Sequence, residues 1–101
     1  MIVIVAKRQT GKTSTLIRLA HEQGGYIVCR SKSMAGDIAN MARKMECNIA
    51  FPITYEEFID KRYYGKMISK FYIDDADALL QSMTVVPIEA VTLTQEASDG
   101  R

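Results

Sequence analysis

A chain of 101 residues, 48% hydrophobic and 25% charged with a formal net charge of +1, has room for one domain and one core. That composition excludes a disordered chain, and no apolar run approaches the roughly 18–20 residues of a membrane span. Cys29 and Cys47 stand 18 positions apart without a CxxC, and His21 is the one histidine, so neither a disulfide framework nor a zinc ligand set is expected and the reducing cytoplasm is the default location.

In chain order, residues 2–6 form a continuous apolar run rich in β-branched residues, the pattern of a strand buried on both faces. Lys7 and Arg8 follow it with no basic region before, which is not the order of a signal peptide. A polar loop ends at Gly11. From Thr13 the apolar positions Leu16, Ile17 and Ala20 recur at helical spacing, and Gly24-Gly25 stops that helix. Residues 26–30 read as a second strand, and Ser33 as the cap of a helix whose stripe is Met34, Ile38, Met41, Ala42 and Met45. Residues 49–51, closed by Pro52, suggest a minor strand. Thr54-x-x-Glu57 is a capping box opening a short helix, with Tyr63-Tyr64-Gly65 as its exit. Residues 71–74 are a clear strand, after which Asp75 or Asp77 opens a helix. Residues 90–94 are the last strand. Residues 1–95 make one domain, and 96–101 read as a tail.

Strands alternating with helices imply an α/β fold: a three-layer sandwich around a mostly parallel sheet of four to five strands. Such sheets bind ligands at the carboxyl ends of their strands, so Lys7 to Thr13 and Asp74-Asp75 carry most of the functional expectation. Charge is distributed to match. The first fifty residues hold eight Lys and Arg against three acids, and the remainder five against nine. A basic half suited to an anion and an acidic half suited to a cation is one reading; chance segregation is the other.

Residues 6–13, Ala-Lys-Arg-Gln-Thr-Gly-Lys-Thr, follow the phosphate-loop pattern GxxxxGK[ST] with Ala6 in place of the first glycine. A loop of this length turns successive backbone N–H groups onto a phosphate, and the helix behind adds its positive end. Nucleotide contacts are therefore expected from Lys7, Arg8, Gln9, Thr10, Gly11, Lys12, Thr13 and Ser14. Gly11 allows close backbone approach, Lys12 charges the β/γ-phosphates, and the Thr13 hydroxyl reaches Mg²⁺.

In the second half, Phe71-Tyr72-Ile73-Asp74-Asp75 is an apolar strand ending in two acids, the Walker B arrangement. Asp74 would hold Mg²⁺, directly or through water, and Asp75 would orient or deprotonate the attacking water. The competing reading has Asp75 and Asp77 merely capping the next helix. Thr94 and Gln95 close the last strand where a γ-phosphate sensor would sit, although threonine is also simply a good strand residue.

By these residues the chain resembles P-loop NTPases of the additional-strand type, which include RecA-like, AAA+ and helicase-like ATPases. The resemblance spans residue 1 to about 95, with only the two Walker segments specific. The loop wording is similar to the RQxGKT form of phage DNA-packaging (terminase) motors. That likeness implies a finger-like role for Arg8 on the transferred phosphoryl group, against a plain solvated cation. Two departures are that only five residues precede the loop, too few for an adenine-gripping segment, and that no nuclease domain follows. Thymidine-kinase-like enzymes share the form GKTxxLI, but their zinc-bearing lasso does not fit the cysteines here.

The leading expectation is a minimal P-loop ATPase core using Mg²⁺ with ATP or GTP, acting within a nucleic-acid machine of phage or mobile-element type in the host cytoplasm. Lys12, Asp75 and Arg8 are its expected catalytic residues, and Thr13 and Asp74 its metal ligands. Its expected partners are a nucleoside triphosphate, DNA or RNA, and another subunit or a second copy, with no membrane. Arg30, Lys32, Arg43 and Lys44 form a basic set for nucleic acid, which a solvated helix face explains equally well. A nucleoside- or metabolite-kinase-like phosphotransferase and a non-catalytic nucleotide switch stay open as alternatives.

Overall fold

Seven short elements follow one another in the computed structural model, which describes residues 1, 3–5, 11–63 and 67–94. They are α1 (Lys12–Gln23), β1 (Tyr26–Cys29), α2 (Lys32–Lys44), β2 (Ile53–Thr54), α3 (Tyr55–Ile59), β3 (Phe71–Ile73) and α4 (Ala76–Gln81). Strands and helices alternate, and the three strands form one parallel sheet in the order β2-β1-β3. The fold class is α/β.

Side-chain alternation along β1 builds a core on each face of the sheet. Ile27 and Cys29 point into one cluster with Leu16, Ile17 and Ala20 of α1 and Ala35, Ile38 and Ala42 of α2. Val28 points the other way, towards Ile53 and Tyr55, with Phe58, Phe71, Ile73 and Leu79 packed around them. Helices therefore cover both faces, α1 and α2 on one and α3 and α4 on the other. Ile17, Ile27, Val28, Pro52 and Cys29 are the largest fully buried side chains among the described residues. Burial pushes the Cys29 thiol up, so it behaves as a small apolar residue.

The helix boundaries have local causes. Gly24 and Gly25 end α1 with φ of 74° and 101°, values that a side chain rarely permits. Gly25 is required twice over, because a Cβ there would lie 2.7 Å from the Lys70 carbonyl, which accepts from the Tyr26 N–H. Helix α2 is capped by Ser31, whose hydroxyl accepts from the Met34 N–H, rather than by Ser33 as its position predicts. Ser31 is two residues past the end of β1, so the helix starts at Lys32, two residues earlier than a Ser33 cap would place it. The Thr54–Glu57 capping box is present in both directions. The minor strand falls at Ile53–Thr54, after Pro52 rather than before it.

Two expected strands are not formed among the described residues. Among the described residues the sheet has three strands, against the four to five that the pattern predicts. Residues 3–5 lie outside any strand, with Ile4 38% and Val5 84% exposed, and residues 90–94 are exposed and in no strand. The second case has a visible cause. The Gln81 side-chain amide donates to the Val86 carbonyl and accepts from the Ile88 N–H, tying the chain that leads into that segment to the end of α4 instead of to the edge of β3. Strand propensity supplies a suitable backbone, whereas a strand also needs a neighbour. No helix among the described residues is long and apolar enough to cross a membrane.

Candidate functional site

Parallel pairing brings three strand ends to one edge. Val28 is level with Ile53 on one side and Ile73 on the other, so Cys29, Thr54 and Asp74 lie in a row where the sheet stops. The Asp74 N–H closes the ladder by donating to the Val28 carbonyl at 2.9 Å. Helix α1 starts beside this row. Its N-cap is Gly11, in a left-handed conformation with φ 86°, and no side chain caps the helix there. The N–H groups of Lys12, Thr13 and Ser14 are thereby left without intrahelical acceptors, as helix geometry requires of a first turn. The hydroxyls of Ser14 and Thr15 both turn back to the Gly11 carbonyl, at 2.9 and 3.1 Å.

Two contacts join this helix end to the end of β3. Lys12 Nζ donates to Asp75 Oδ1 at 3.0 Å, and the Thr13 hydroxyl donates to Asp74 Oδ2 at 3.4 Å. The partners are 63 and 61 positions apart in the chain. Of the expected residues, Gly11, Lys12, Thr13, Ser14, Asp74 and Asp75 thus lie together at the carboxyl edge. Lys7, Arg8, Gln9, Thr10 and Gln95 lie outside the described residues. Thr94 is exposed and in no strand, so the strand-end position that a sensor needs is not formed around it.

The two acids differ in environment. Asp74 is 4% exposed, and its carboxyl is pushed up from the ordinary value by burial and by the Asp75 charge; the Thr13 hydroxyl, Lys12 and Arg30 offset part of that rise. The Asp75 carboxylate is about a third exposed and pairs with Lys12. Asp75 occupies the N-cap position of α4, yet its side chain makes no capping bond. It therefore does not serve as a plain helix cap. Its backbone is left-handed, φ 58° and ψ 68°. The other two such non-glycine residues among those described, Glu46 and Lys61, follow helices and close them with the usual C-terminal bonds, but Asp75 precedes one. Holding a non-glycine residue there costs on the order of 1 kcal/mol or more, and such residues collect at functional sites.

Tyr55, the first residue of α3, is a site residue that sequence reading misses. It is 4% exposed, and its hydroxyl lies 2.5 Å from the Asp74 carbonyl and 3.0 Å from the Asp75 carbonyl. Burial first, and then the charges of Asp75 and Asp74, push its phenol up to about 12, so it remains a donor at any working pH. The capping box one residue earlier is legible, but a contact made across nearly 20 positions leaves no local signal.

Among the described residues no group of three or more His, Cys, Asp or Glu side chains converges on a metal position. Thr13 and Asp74 nonetheless set two hard oxygen donors side by side. Mg²⁺ commonly takes one or two carboxylates and completes its shell with phosphates and water, so the donor set fits that ion when a phosphate ligand is present. A separate cleft of about 280 Å³ opens along the same edge between Arg30, Lys32, Thr54 and Arg62. Its charges are partly neutralised, because Lys32 pairs with Glu57 and Arg62 with Glu56. A further cleft, of about 360 Å³, lies between α4 and residues 88–91 and includes none of these side chains. Compared with known proteins, the chain matches no family model, no curated protein and no solved structure.

Proposed function

We propose that the chain is a Mg²⁺-dependent P-loop nucleotide-binding core that hydrolyses ATP or GTP. The observation that carries this reading is the meeting of Lys12 with Asp75 and of Thr13 with Asp74 at the carboxyl edge of a parallel sheet, across more than 60 positions of chain. A helix start of accidental composition has no reason to find a pair of acids at the end of a strand more than 60 positions away.

In this reading Lys12 leaves Asp75 and charges the terminal phosphates, aided by the free N–H groups at the start of α1. Thr13 and Asp74 hold Mg²⁺, which neutralises charge on the phosphate oxygens when bound. Asp75, released from Lys12, accepts a hydrogen bond from the attacking water and orients it. Arg8 adds positive charge from the loop. DNA or RNA, and a neighbouring subunit that completes the site, are the partners this reading carries. One observation favours a second reading, a nucleotide switch without turnover: the Asp75 carboxylate is committed to Lys12 at 3.0 Å, and aspartate reaches less far than the glutamate common at this position.

Equilibrium binding of Mg–ATP and Mg–GTP to the parent and to Lys12→Ala tests the assignment. Loss of a charge-assisted contact worth about 1.5–3 kcal/mol weakens binding by roughly 10- to 100-fold. Equal affinity in the two proteins overturns the phosphate-loop reading. Phosphate release, followed with and without single-stranded or duplex DNA and against protein concentration, then separates the two readings. Tight binding with no release selects the switch, and specific activity rising with concentration marks a site shared between subunits.

A further inference from the structure

We propose that Tyr55 is a positioning residue of this site: its buried hydroxyl bridges the carbonyls of Asp74 and Asp75 and holds the left-handed turn that aims the Asp75 carboxylate at Lys12. The inference rests on the reading of Lys12 and Asp75 as nucleotide-site residues, and it names the device that sets their geometry.

The turn has three anchors. The sheet holds its start, through the Asp74 N–H on the Val28 carbonyl. Helix α4 holds its end, through the Leu79 N–H on the Asp75 carbonyl. Tyr55 is the third, and it is the one that bonds both carbonyls. Two carbonyls can only accept, so the single phenolic proton is shared between them. Without that donor the buried Asp74 carbonyl would be left unpaired among the described residues, which is costly in a protein interior. Asp75 would then have an alternative conformation close at hand. Residues at a helix N-cap ordinarily take extended backbone and place their side-chain oxygen on the first turn's N–H groups. In that state the Asp75 carboxylate would cap α4 and abandon Lys12. Tyr55 therefore selects between two uses of one carboxylate, a helix cap or a site acid.

Position fits this task. Tyr55 follows β2 directly, and the capping box formed by Thr54 and Glu57 fixes the first turn of α3 on which it stands. The phenol cannot swing away without breaking the packing of its ring against Val28 and Ile53. Arg30, whose charge favours the ionised forms of both Asp74 and Tyr55, lies on the same edge and touches neither residue's backbone role.

The experiment has two arms. In nucleotide-free protein, backbone carbon shifts and HN–Hα couplings of Asp75 report whether it is left-handed. The expected result is a left-handed Asp75 in the parent and an extended one in Tyr55→Phe; a left-handed Asp75 in both proteins overturns the proposal. Should Tyr55→Phe fold poorly, the Asp75→Gly background restores a residue that takes the turn unaided. There Tyr55→Phe is expected to weaken folding by a smaller factor than in the parent, and an equal factor counts against the clamp. The second arm measures Mg–ATP turnover. Tyr55→Phe is expected to lower kcat about tenfold with KM within about twofold. In the Asp75→Asn background the same change is expected to have less than about twofold effect, since the group it positions is gone. Equal losses in both backgrounds would mark a merely structural hydroxyl. A parent protein that neither binds Mg–ATP nor releases phosphate sinks the proposed function, while the first arm still decides the clamp.

Discussion

Asp74 and Asp75 are adjacent acids with opposite circumstances, one buried against Thr13 and the other half-open on Lys12. The buried one is held at a cost. Its folded value is raised by burial and by its neighbour, so the folded protein keeps the Asp74 proton to higher pH than the unfolded chain does. Between the ordinary aspartate value of about 3.9 and the raised folded value, stability accordingly falls as pH rises. Above that raised folded value the full penalty of a buried charge is present. Asp74→Asn removes that charge while leaving an oxygen for the Thr13 hydroxyl, so its melting midpoint is expected to exceed the parent's at pH 7. The gap should narrow as pH falls towards 4, and Mg–ATP binding should be lost. A midpoint below the parent's at pH 7 would show that the carboxylate is instead a net stabiliser. Gain in stability with loss of binding is the signature of a residue kept for its chemistry. That Lys12, Thr13, Asp74 and Asp75 sit at strand and helix ends is legible in the sequence, because such a position is a local property. Tyr55 is not, because its role exists only once β2 and β3 flank the same central strand.

The short helix α3 shows how much a local signal can fix. Glu57 is held below its ordinary value chiefly by the Thr54 N–H, with Lys32 assisting. Its contribution to stability is thus present at neutral pH and is lost as pH falls through that lowered value, the reverse of Asp74. Thr54→Ala removes the hydroxyl that accepts from the Glu57 N–H, and is expected to cost about 1 kcal/mol in chemical denaturation. Because Tyr55 is the next residue, the same change should loosen the clamp on Asp75 and lower Mg–ATP turnover more than that stability loss alone explains. Unchanged turnover in the fully folded variant would uncouple the two. Other elements separate along the same physical line. Helices α1 and α2 and strands β1 and β3 follow from periodicity and capping, which neighbours along the chain determine. The runs at 2–6 and 90–94 carry equally good strand patterns, yet Val5, Val91 and Leu93 are more than half exposed. Pairing is decided by what lies beside a segment in space. For the second run, the amide of Gln81 takes the chain leading into it before the β3 edge can.

Across the whole molecule, the segregated charge acquires a partial structural cause. The basic half contributes Lys12 and the acidic half Asp74 and Asp75, and they meet at one sheet edge. A ligand seated there would touch α1 and the end of β3 together, linking the first and last thirds of the described chain. Binding and folding are then coupled: a ligand that binds only the folded state adds RT ln(1 + [L]/Kd), about 2.7 kcal/mol at a hundredfold excess over Kd. For a domain of this size each kcal/mol moves the melting midpoint by roughly 4–8 °C, so saturating Mg–ATP is expected to raise it by on the order of 10 °C or more. The shift should shrink by half or more in Lys12→Ala, whose binding is weaker by roughly 10- to 100-fold. It should vanish in Asp74→Asn, which begins from a higher midpoint, so baseline stability and ligand response move in opposite directions in that one variant. A general salt or crowding effect of the nucleotide would raise all three midpoints alike, and a thermal shift series at fixed ionic strength distinguishes the two. An equal rise in the parent and both variants would mean that the nucleotide stabilises the fold through some surface other than the edge where Lys12 meets Asp75.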